Sequence, residues 1–584
     1  MVRPVLRLAL LALGLLAALA PARAADRPAP DPLRLVPDAA DLIVKVEQPT
    51  RLLDLAVQLA SMQELQAFPG YRDYFESTNY RRFRQLVAYF EKELGKPWHE
   101  LVDELAGGGG VFALKFRGDM PVLLGVVQGK NPELVKKFAD LALTVAEQEL
   151  ARLEVKERPR KEKYRGVEVV RVGAYYHAAV LDGAIIASNA PRAIEAAIDL
   201  HLDKSPKSIL TVGTLTEARK LLPADPLAWA WLNLDPLHRA EGAKPLFELP
   251  GDQPQLHILY GGYFDVLKRA PFVAAAFTQE RHGPVLTIRL PKGTQGMHEA
   301  MTAHTPPDGT GLLPLLEPKG TLYTTSYYMD VVKFWELRAK LFNPAQLAGV
   351  EQFEKESARY LLGTRFSKLL RCVGPRQRLV VARQYETGYA TKPQTRLPAF
   401  AWVIDLREPE AFAKAIEPPL RSLGLLASFG ADMTLFEEKH GGWKIVGYRF
   451  VENDKNKANT NGILFNFSPC FVRVGDQFVF SSTLELARTL ADEIDKQAKA
   501  PKAHTDSAAV RSRFHWDGLA AYFDAIRDQL VTATILGDGS PPDEAKNQVE
   551  LLIEFLNRLG SVELTTVYEP ERFRYDIRIR PPAK

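Results

Sequence analysis

Eleven histidines, two cysteines and a run of four glycines are the residues with chemistry to offer in this chain. Histidine metal sites usually show short, regular spacings such as His-Glu-x-x-His, and neither that pattern nor Cys-x-x-Cys occurs. His298 and His304 flank Glu299 in a stretch rich in Gly, Pro and Thr, where they read as solvated linker residues. His177 and His515 sit in strand-like runs and read as half-buried structural residues. Gly107-Gly108-Gly109-Gly110 invites comparison with a phosphate loop. Such a loop follows a strand, opens a helix and carries a Lys with Ser or Thr. Here a helical stretch (99–105) precedes and a strand-like run (111–116) follows, so a flexible helix-to-strand turn is the reading. No Gly-x-Ser-x-Gly nucleophile turn is present. Ser188 and Ser481 each end a strand ahead of a helix, and Asp235 and Asp517 each precede a helical run. Helix capping accounts for all four. Asn466-Phe467-Ser468 matches a glycosylation sequon inside a strand-like run. The sequence thus nominates no catalytic, cofactor-binding or metal-ligating residue, no cofactor is expected, and the balance leans against an enzyme.

Cys372 and Cys470 stand 98 positions apart. In an exported chain they could form a disulfide, worth about 4–5 kcal/mol by the loop-closure model. The alternative is two small buried thiols that never meet, and both readings stay open at this stage.

Compartment and composition bound the rest. The chain has 584 residues, 46% of them hydrophobic and 25% charged, which excludes wholesale disorder and a disulfide scaffold. Residues 1–24 read as a secretory signal peptide: Arg3 and Arg7 make a positive start, 8–20 is an apolar run, and Ala22-Arg23-Ala24 supplies small residues for cleavage after Ala24 or Ala25. Without Arg3, Arg7 and Arg23 the chain has 72 basic against 71 acidic residues, so its net charge of +4 gives no argument for nucleic acid. No later segment is apolar for long enough to span a bilayer, so no transmembrane segment is expected after the leader is removed. Secreted or periplasmic is the expected location, with 25–34 as a spacer.

The elements that would position any site come in two sets. Leu35-Val36-Pro37 with the strand from Asp41 recurs as Leu316-Glu317-Pro318 with the strand from Thr321. Helical stretches follow at 51–60 and 331–341. The strand 122–127 leads into Asn131-Pro132-Glu133, and the strand 400–404 into Glu408-Pro409-Glu410. Pro with an acid behind it marks a helix N-terminus in both places. Asp182-Gly183 and Gly475-Asp476 are tight-turn pairs between apolar runs, each ahead of a helical stretch. Both sets close on a hairpin, ending Ile288-Arg289-Leu290-Pro291 and Ile577-Arg578-Ile579-Arg580-Pro581. The expected architecture is α+β: two copies of one unit, 35–292 and 312–584, joined by a linker at 293–311. Hairpins imply antiparallel sheets, with helices backing each on one side. The charged stretch 154–164 and the polar stretch 452–461 read as solvated loops.

Val36-Pro37-Asp38-Ala39-Ala40-Asp41-Leu42-Ile43-Val44-Lys45-Val46 and the run from Asp182-Gly183 to Ser188, followed by Pro191-Arg192-Ala193-Ile194-Glu195-Ala196-Ala197-Ile198-Asp199, give the chain a resemblance. It resembles, over about half its length, secreted bacterial proteins grouped as domains of unknown function. The resemblance implies export and a non-catalytic role, and transfers no site residue. Three functions are then weighed. The first is an exported, non-enzymatic binding or structural protein of the periplasm or cell envelope, whose partner is an unknown protein or envelope component. The second is a carrier of an apolar ligand or lipid. The third is a hydrolase whose site carries no recognised motif.

Overall fold

The structure, a computed structural model, describes residues 29–60, 69–116, 120–203, 207–248, 253–307, 310–458, 462–500 and 507–582. The expected leader 1–24 and its expected cleavage site lie outside the described residues. The protein is α+β with antiparallel sheet, and the chain divides into two units, 1–243 with 270–291, and 244–269 with 292–584. Among the described residues no helix is long and apolar enough to cross a membrane.

The first unit has strands β1 (Leu42–Val46), β2 (Gly110–Lys115), β3 (Val122–Gln128), β4 (Arg160–Tyr164), β5 (Val167–Val172), β6 (Tyr176–Leu181), β7 (Ala184–Ser188), β8 (Ala228–Asn233), β9 (Phe272–Glu280) and β10 (Gly283–Pro291). Neighbours run β10-β9-β8-β1-β2-β3-β7-β6-β5-β4, every pair antiparallel. Local sequence sets the turns. Asp182 (φ 43°) and Gly183 (φ 76°) both take the left-handed conformation that a two-residue hairpin with native twist requires. β9 alternates buried and half-buried along Phe272–Thr278, the period of a pleated strand.

One face of this sheet, with Ile43, Ala179, Leu181, Ile186, Trp229 and Trp231, forms a core with the helices Pro191–Asp203 and Gly213–Leu221. The end of the expected spacer belongs to that core. Pro32–Leu35 is a 3-10 turn with Leu33 and Leu35 buried. Asp31 caps it, accepting from the Leu33 N–H at 2.9 Å, and meets the buried Lys45 ammonium at 3.0 Å. Apolar residues at 33 and 35 outweigh the prolines around them. The other face, with Val180 and Ile185, packs on the helices Thr78–Leu94, Trp98–Ala106 and Pro132–Arg152. β4, expected as a solvated loop, is an edge strand. Its Arg160, Lys161, Glu162 and Lys163 are exposed, and charge on an open edge discourages pairing with another chain.

The second unit has β11 (Thr321–Tyr328), β12 (Val373–Ala382), β13 (Ala399–Leu406), β14 (Met433–His440), β15 (Trp443–Phe450), β16 (Cys470–Val474), β17 (Gln477–Ser481), β18 (Ala508–His515), β19 (Ser561–Tyr568) and β20 (Arg572–Arg580). Neighbours run β20-β19-β18-β11-β12-β13-β17-β16-β15-β14, again antiparallel. Val472, Val479 and Ile445 pack under the helix Leu484–Lys499. Phe471, Phe478 and Val446 point the other way, towards the helices Phe366–Arg371 and Pro409–Ala431.

Helices therefore cover both faces of each sheet, not one. The reason is visible in β16 and β17, where consecutive residues are apolar and both sides of the strand need cover.

The stretch 293–311, expected as a linker, is part of the second unit's body. The Thr294 N–H donates to the Glu569 carbonyl at 2.9 Å. Glu299–His304 is a 3-10 turn with Ala300 and Ala303 fully buried. The helix Pro254–Arg269 belongs to the same unit. Its Arg269 donates to the carbonyls of Lys292 (3.1 Å), Gly293 (2.9 Å) and Gln295 (2.6 Å), and its Tyr263 hydroxyl meets Thr566 Oγ1 at 3.0 Å. That satisfies backbone oxygens which a free linker would leave to water.

Candidate functional site: an aromatic sheet face

β13 reverses the usual pattern of a half-buried strand. Its small residues Ala399, Ala401 and Val403 are buried, while the large Phe400 and Trp402 between them are 57% and 40% exposed. Strand pairing extends the patch. Trp402 stands opposite Leu379 on β12, itself 38% exposed, and Phe400 opposite Val381. On the other side Trp402 pairs with Phe480 of β17, their rings stacked at 6.0 Å. The series continues inward from Phe480 to Phe478 (4.9 Å), and from Phe478 to Phe471 (5.7 Å) and Phe412 (5.2 Å). A line of rings thus leads from a sealed core to solvent, and the outermost ring is held from behind.

β11 adds Tyr323 and Tyr327 to the same face, opposite Val381 and Gln377. The Tyr323 hydroxyl donates to Ser512 Oγ at 3.3 Å, which in turn donates to Thr325 Oγ1 at 2.8 Å. Tyr327 hydrogen-bonds with Trp402, and burial keeps its phenol above the ordinary range. The surface is apolar in area, with a few fixed hydroxyls. Burying it would be favourable at roughly 25 cal/mol per Å².

The residues singled out by sequence lie elsewhere. Ser188 Oγ donates to the Leu123 carbonyl and accepts from the Ala190 N–H at 3.1 Å, which shapes the turn ahead of the helix at Pro191. Ser481 does the same for Thr483, and Thr483, not Ser481, caps the helix Leu484–Lys499. Asp235 and Asp517 are not caps either. They sit in the first turn of their helices, where an acid meets the positive end of the dipole. Asn466 is buried and fully engaged, accepting from Leu397 N–H and donating to the Thr395 and Ile463 carbonyls. Gly107 to Gly110 form a helix-to-strand turn, with Gly109 at φ 97°. His177 is buried near the Ala174 carbonyl, and His515 pairs with Glu317 at 2.9 Å.

His304 is no solvated linker residue. It is half-buried, edge-on to Phe334 at 5.1 Å, and burial lowers its pKa to about 4. Among the described residues no three of His, Cys, Asp and Glu are grouped as a metal would need.

Cys372 and Cys470 are free thiols, both buried. They fall in separate cores on opposite faces of the sheet, Cys470 with Val472 and Cys372 with Val373 and Phe471, which is why they do not bond. Burial pushes the Cys470 thiol up to about 12 and the Cys372 thiol upward as well. The thiolate is the reactive form, so neither should react quickly near pH 8. A thiol reagent added without reductant should label neither cysteine in the native protein within minutes, and both after unfolding. No labelling after unfolding would mean the bond exists.

Two concavities of about 350 and 380 Å³ lie on the helices Trp516–Ala525, Arg527–Asp538 and Pro542–Leu559. Both are open to solvent, with Asp524, Arg527 and Glu550 among the residues lining one, and Asp528, Gln529, Ala533 and Leu536 among those lining the other. Neither is an enclosed cavity.

The fold and this face define a class: an antiparallel α+β protein with a solvent-facing aromatic surface. No protein-family model and no curated protein matches the chain. A solved structure titled "Structure of crystal form I of TP0453" is similar at 10% sequence identity, covering 45% of this chain and 78% of that one, with a TM-score of 0.22.

Proposed function

We propose that the chain is an exported, non-enzymatic binding protein of the periplasm or cell envelope, made of two copies of one unit, the second of which holds a protein partner against its aromatic face. The single observation that carries the binding role is the open surface around Trp402, Phe400 and Leu379. Monomeric proteins seldom leave such a patch uncovered without a use for it. Trp, Tyr, Phe and Leu in one patch, with hydroxyls at its margin, have the composition of a protein-binding centre.

The duplication is supported by strand order. Substituting β11 for β1, and so on through β20 for β10, turns one order into the other. The copies then differ at an informative place. β3 and β7 set Gly125 opposite Ala187, whereas β13 and β17 set Trp402 opposite Phe480. One copy keeps this position small and the other projects rings from it, as expected when one of two copies has acquired a binding role. Export rests on the leader-like residues 1–24. A lipid carrier would need an enclosed apolar cavity, and the open face favours a surface partner instead.

Site-specific photo-cross-linking in intact cells tests this. A cross-linker placed at Phe400 should give one protein adduct of defined mass, and one at the exposed Leu435 should not. The adduct should be lost when Trp402→Ala is added. Adducts to lipid alone would move the reading to a carrier, and the same adducts from both positions would overturn it.

A further inference from the structure

The helix Pro344–Tyr360 of the second unit ends on a turn whose usual residue is missing. The Gly363 N–H donates to the Ala358 carbonyl at 2.7 Å, the bond that closes a helix when the residue before the donor is left-handed. That residue is usually glycine, and here it is Leu362, at φ 49°. Positive φ is an outlier for a bulky side chain. The other non-glycine residues with positive φ among those described, Glu154, Arg165, Asp182, Lys292 and Asp432, are all charged. In the first unit the helix Thr78–Leu94, which also lies between the first two strands of its sheet, ends in the usual way on Gly95 at φ 70°.

Burial does little to offset the strain. Leu361 packs on the core with Leu369 and Phe412, but Leu362 is 60% exposed. The turn that holds it is braced. Buried Ser357 accepts from the Phe366 N–H at 3.0 Å, and Glu354 accepts from the Ser367 N–H at 3.0 Å. Tyr360, two residues before Leu362, is exposed as well, and so is Phe353, two turns back on the same flank of the helix. A strained backbone kept at an exposed apolar residue points to a use outside the fold.

The charges nearby say what that use is. Arg359, Arg365 and Lys368 are exposed, and none is in an ion pair among the described residues. The helical stretch 331–371 carries eight Lys and Arg against four Asp and Glu, in a chain that is balanced at 72 to 71 without Arg3, Arg7 and Arg23. Two of those four acids are occupied, Glu354 by Ser367 and Glu356 by the Gln352 amide at 2.9 Å. An apolar tip among uncompensated cations complements a surface that is anionic at its edge and apolar beneath, which describes an acidic lipid bilayer. Tyr prefers that boundary, since its ring is apolar and its hydroxyl stays wet.

We propose that the turn from Arg359 to Lys368 is a membrane-contact site, at which Leu362 and Tyr360 enter the edge of an anionic bilayer and Arg359, Arg365 and Lys368 meet the lipid phosphates. Each such cation close to an anionic surface raises affinity about fivefold. The contact is shallow and reversible, and a strained turn fixes which side chain leads. It shares no residue with the aromatic face and does not rest on the partner proposed for that face.

A polarity-sensitive fluorophore attached at Leu362→Cys in the full chain tests this. The probe reports on the turn alone, whatever else in the chain touches lipid, and the two native thiols are buried. Vesicles of phosphatidylcholine with phosphatidylglycerol should shift its emission to the blue, and a probe at the exposed Leu536 should not respond. Changing Arg359, Arg365 and Lys368 to Gln together should raise the half-maximal lipid concentration at least tenfold and leave the melting temperature unchanged. Leu362→Gly, without a probe, should melt no lower than the native protein, because glycine suits the left-handed position. A lower melting temperature would mean that Leu362 serves the fold, and would overturn the site. So would no shift at 362, equal shifts at 362 and 536, equal binding to phosphatidylcholine alone, or a triple variant that binds as before. A shift that follows protein concentration without vesicles would assign the turn to a second copy of the chain instead.

Discussion

Phe478→Ala should lower the stability of the second unit by about 3–5 kcal/mol, the usual cost of truncating a buried aromatic ring. Phe478 is fully buried on β17, with Phe412, Phe471 and Phe480 around it at ring separations of 5.2, 5.7 and 4.9 Å. Three of these four rings are anchored on two paired strands, so the cavity cannot close by sliding one side chain inward. Equilibrium urea unfolding measures the loss. A cost below about 1 kcal/mol would contradict the structure here, and Phe478→Leu should recover more than half of it. The variant has a second expected effect. Phe480 leans on Phe478 and Trp402 on Phe480, so losing the inner ring should also lower the yield of the partner adduct from position 400. If the yield holds while stability falls, the outer rings are positioned by their strands alone.

Acid should destabilise the same unit through His304. Its pKa is lowered to about 4, first by burial, with a bond to the Ile258 backbone opposing, while Nε2 has no partner. The unfolded chain has the ordinary value near 6.5. As pH falls, the unfolded chain takes up this proton first, so stability falls with it. The contribution is complete above about pH 6.5 and is lost progressively towards pH 4. The slope reaches about 1.4 kcal/mol per pH unit, and the loss by pH 4.5 is roughly 2–3 kcal/mol. Other groups titrate in that range as well, so the measurement is the difference between the protein and His304→Leu. That difference should change by roughly 2–3 kcal/mol between pH 7.5 and 4.5. A constant difference would show that His304 is protonated equally well in both states.

Which features were legible in the sequence follows from how local they are. The turn at Asp182-Gly183 could be read directly, because two left-handed residues in a row leave few other choices. The antiparallel character followed from such turns. The aromatic face had a signal that went unused: in Phe400-Ala401-Trp402 the large residues alternate with a small one, and the small one is buried. Here side-chain size and burial run in opposite orders.

Helices on both faces are hard to read from sequence because Cys470-Phe471-Val472 of β16 and Phe478-Val479-Phe480 of β17 are apolar in succession, which says that both sides are covered without saying by what. The histidine at 304 was misread because linker composition was taken for exposure, when the surrounding Ala300, Met301 and Ala303 are all buried. The separation of Cys372 from Cys470 depends on where the helix Phe366–Arg371 ends and on which face Cys470 takes at the start of β16, and neither is written in the spacing of the two cysteines. The pairing of β11 with β18 was beyond reach, because Ser326 and Arg511 lie nearly two hundred positions apart and only the folded sheet sets them opposite each other.

The chain's path through residues 244–269 sets an order of events during synthesis. This segment is made between β8 and β9, yet its helix belongs with strands near the C-terminus. Tyr263 must wait for Thr566, 303 residues downstream. At about 5–20 residues per second that is roughly 15–60 s during which the helix has emerged and its seat does not exist. A product ending at residue 292 would strand Tyr263 in water, and one starting there would leave Thr566 and Tyr568 bare. The gene cannot be halved at that point into two self-sufficient proteins, and a ribosome stalled in the second half would leave behind an adhesive intermediate for a chaperone to hold.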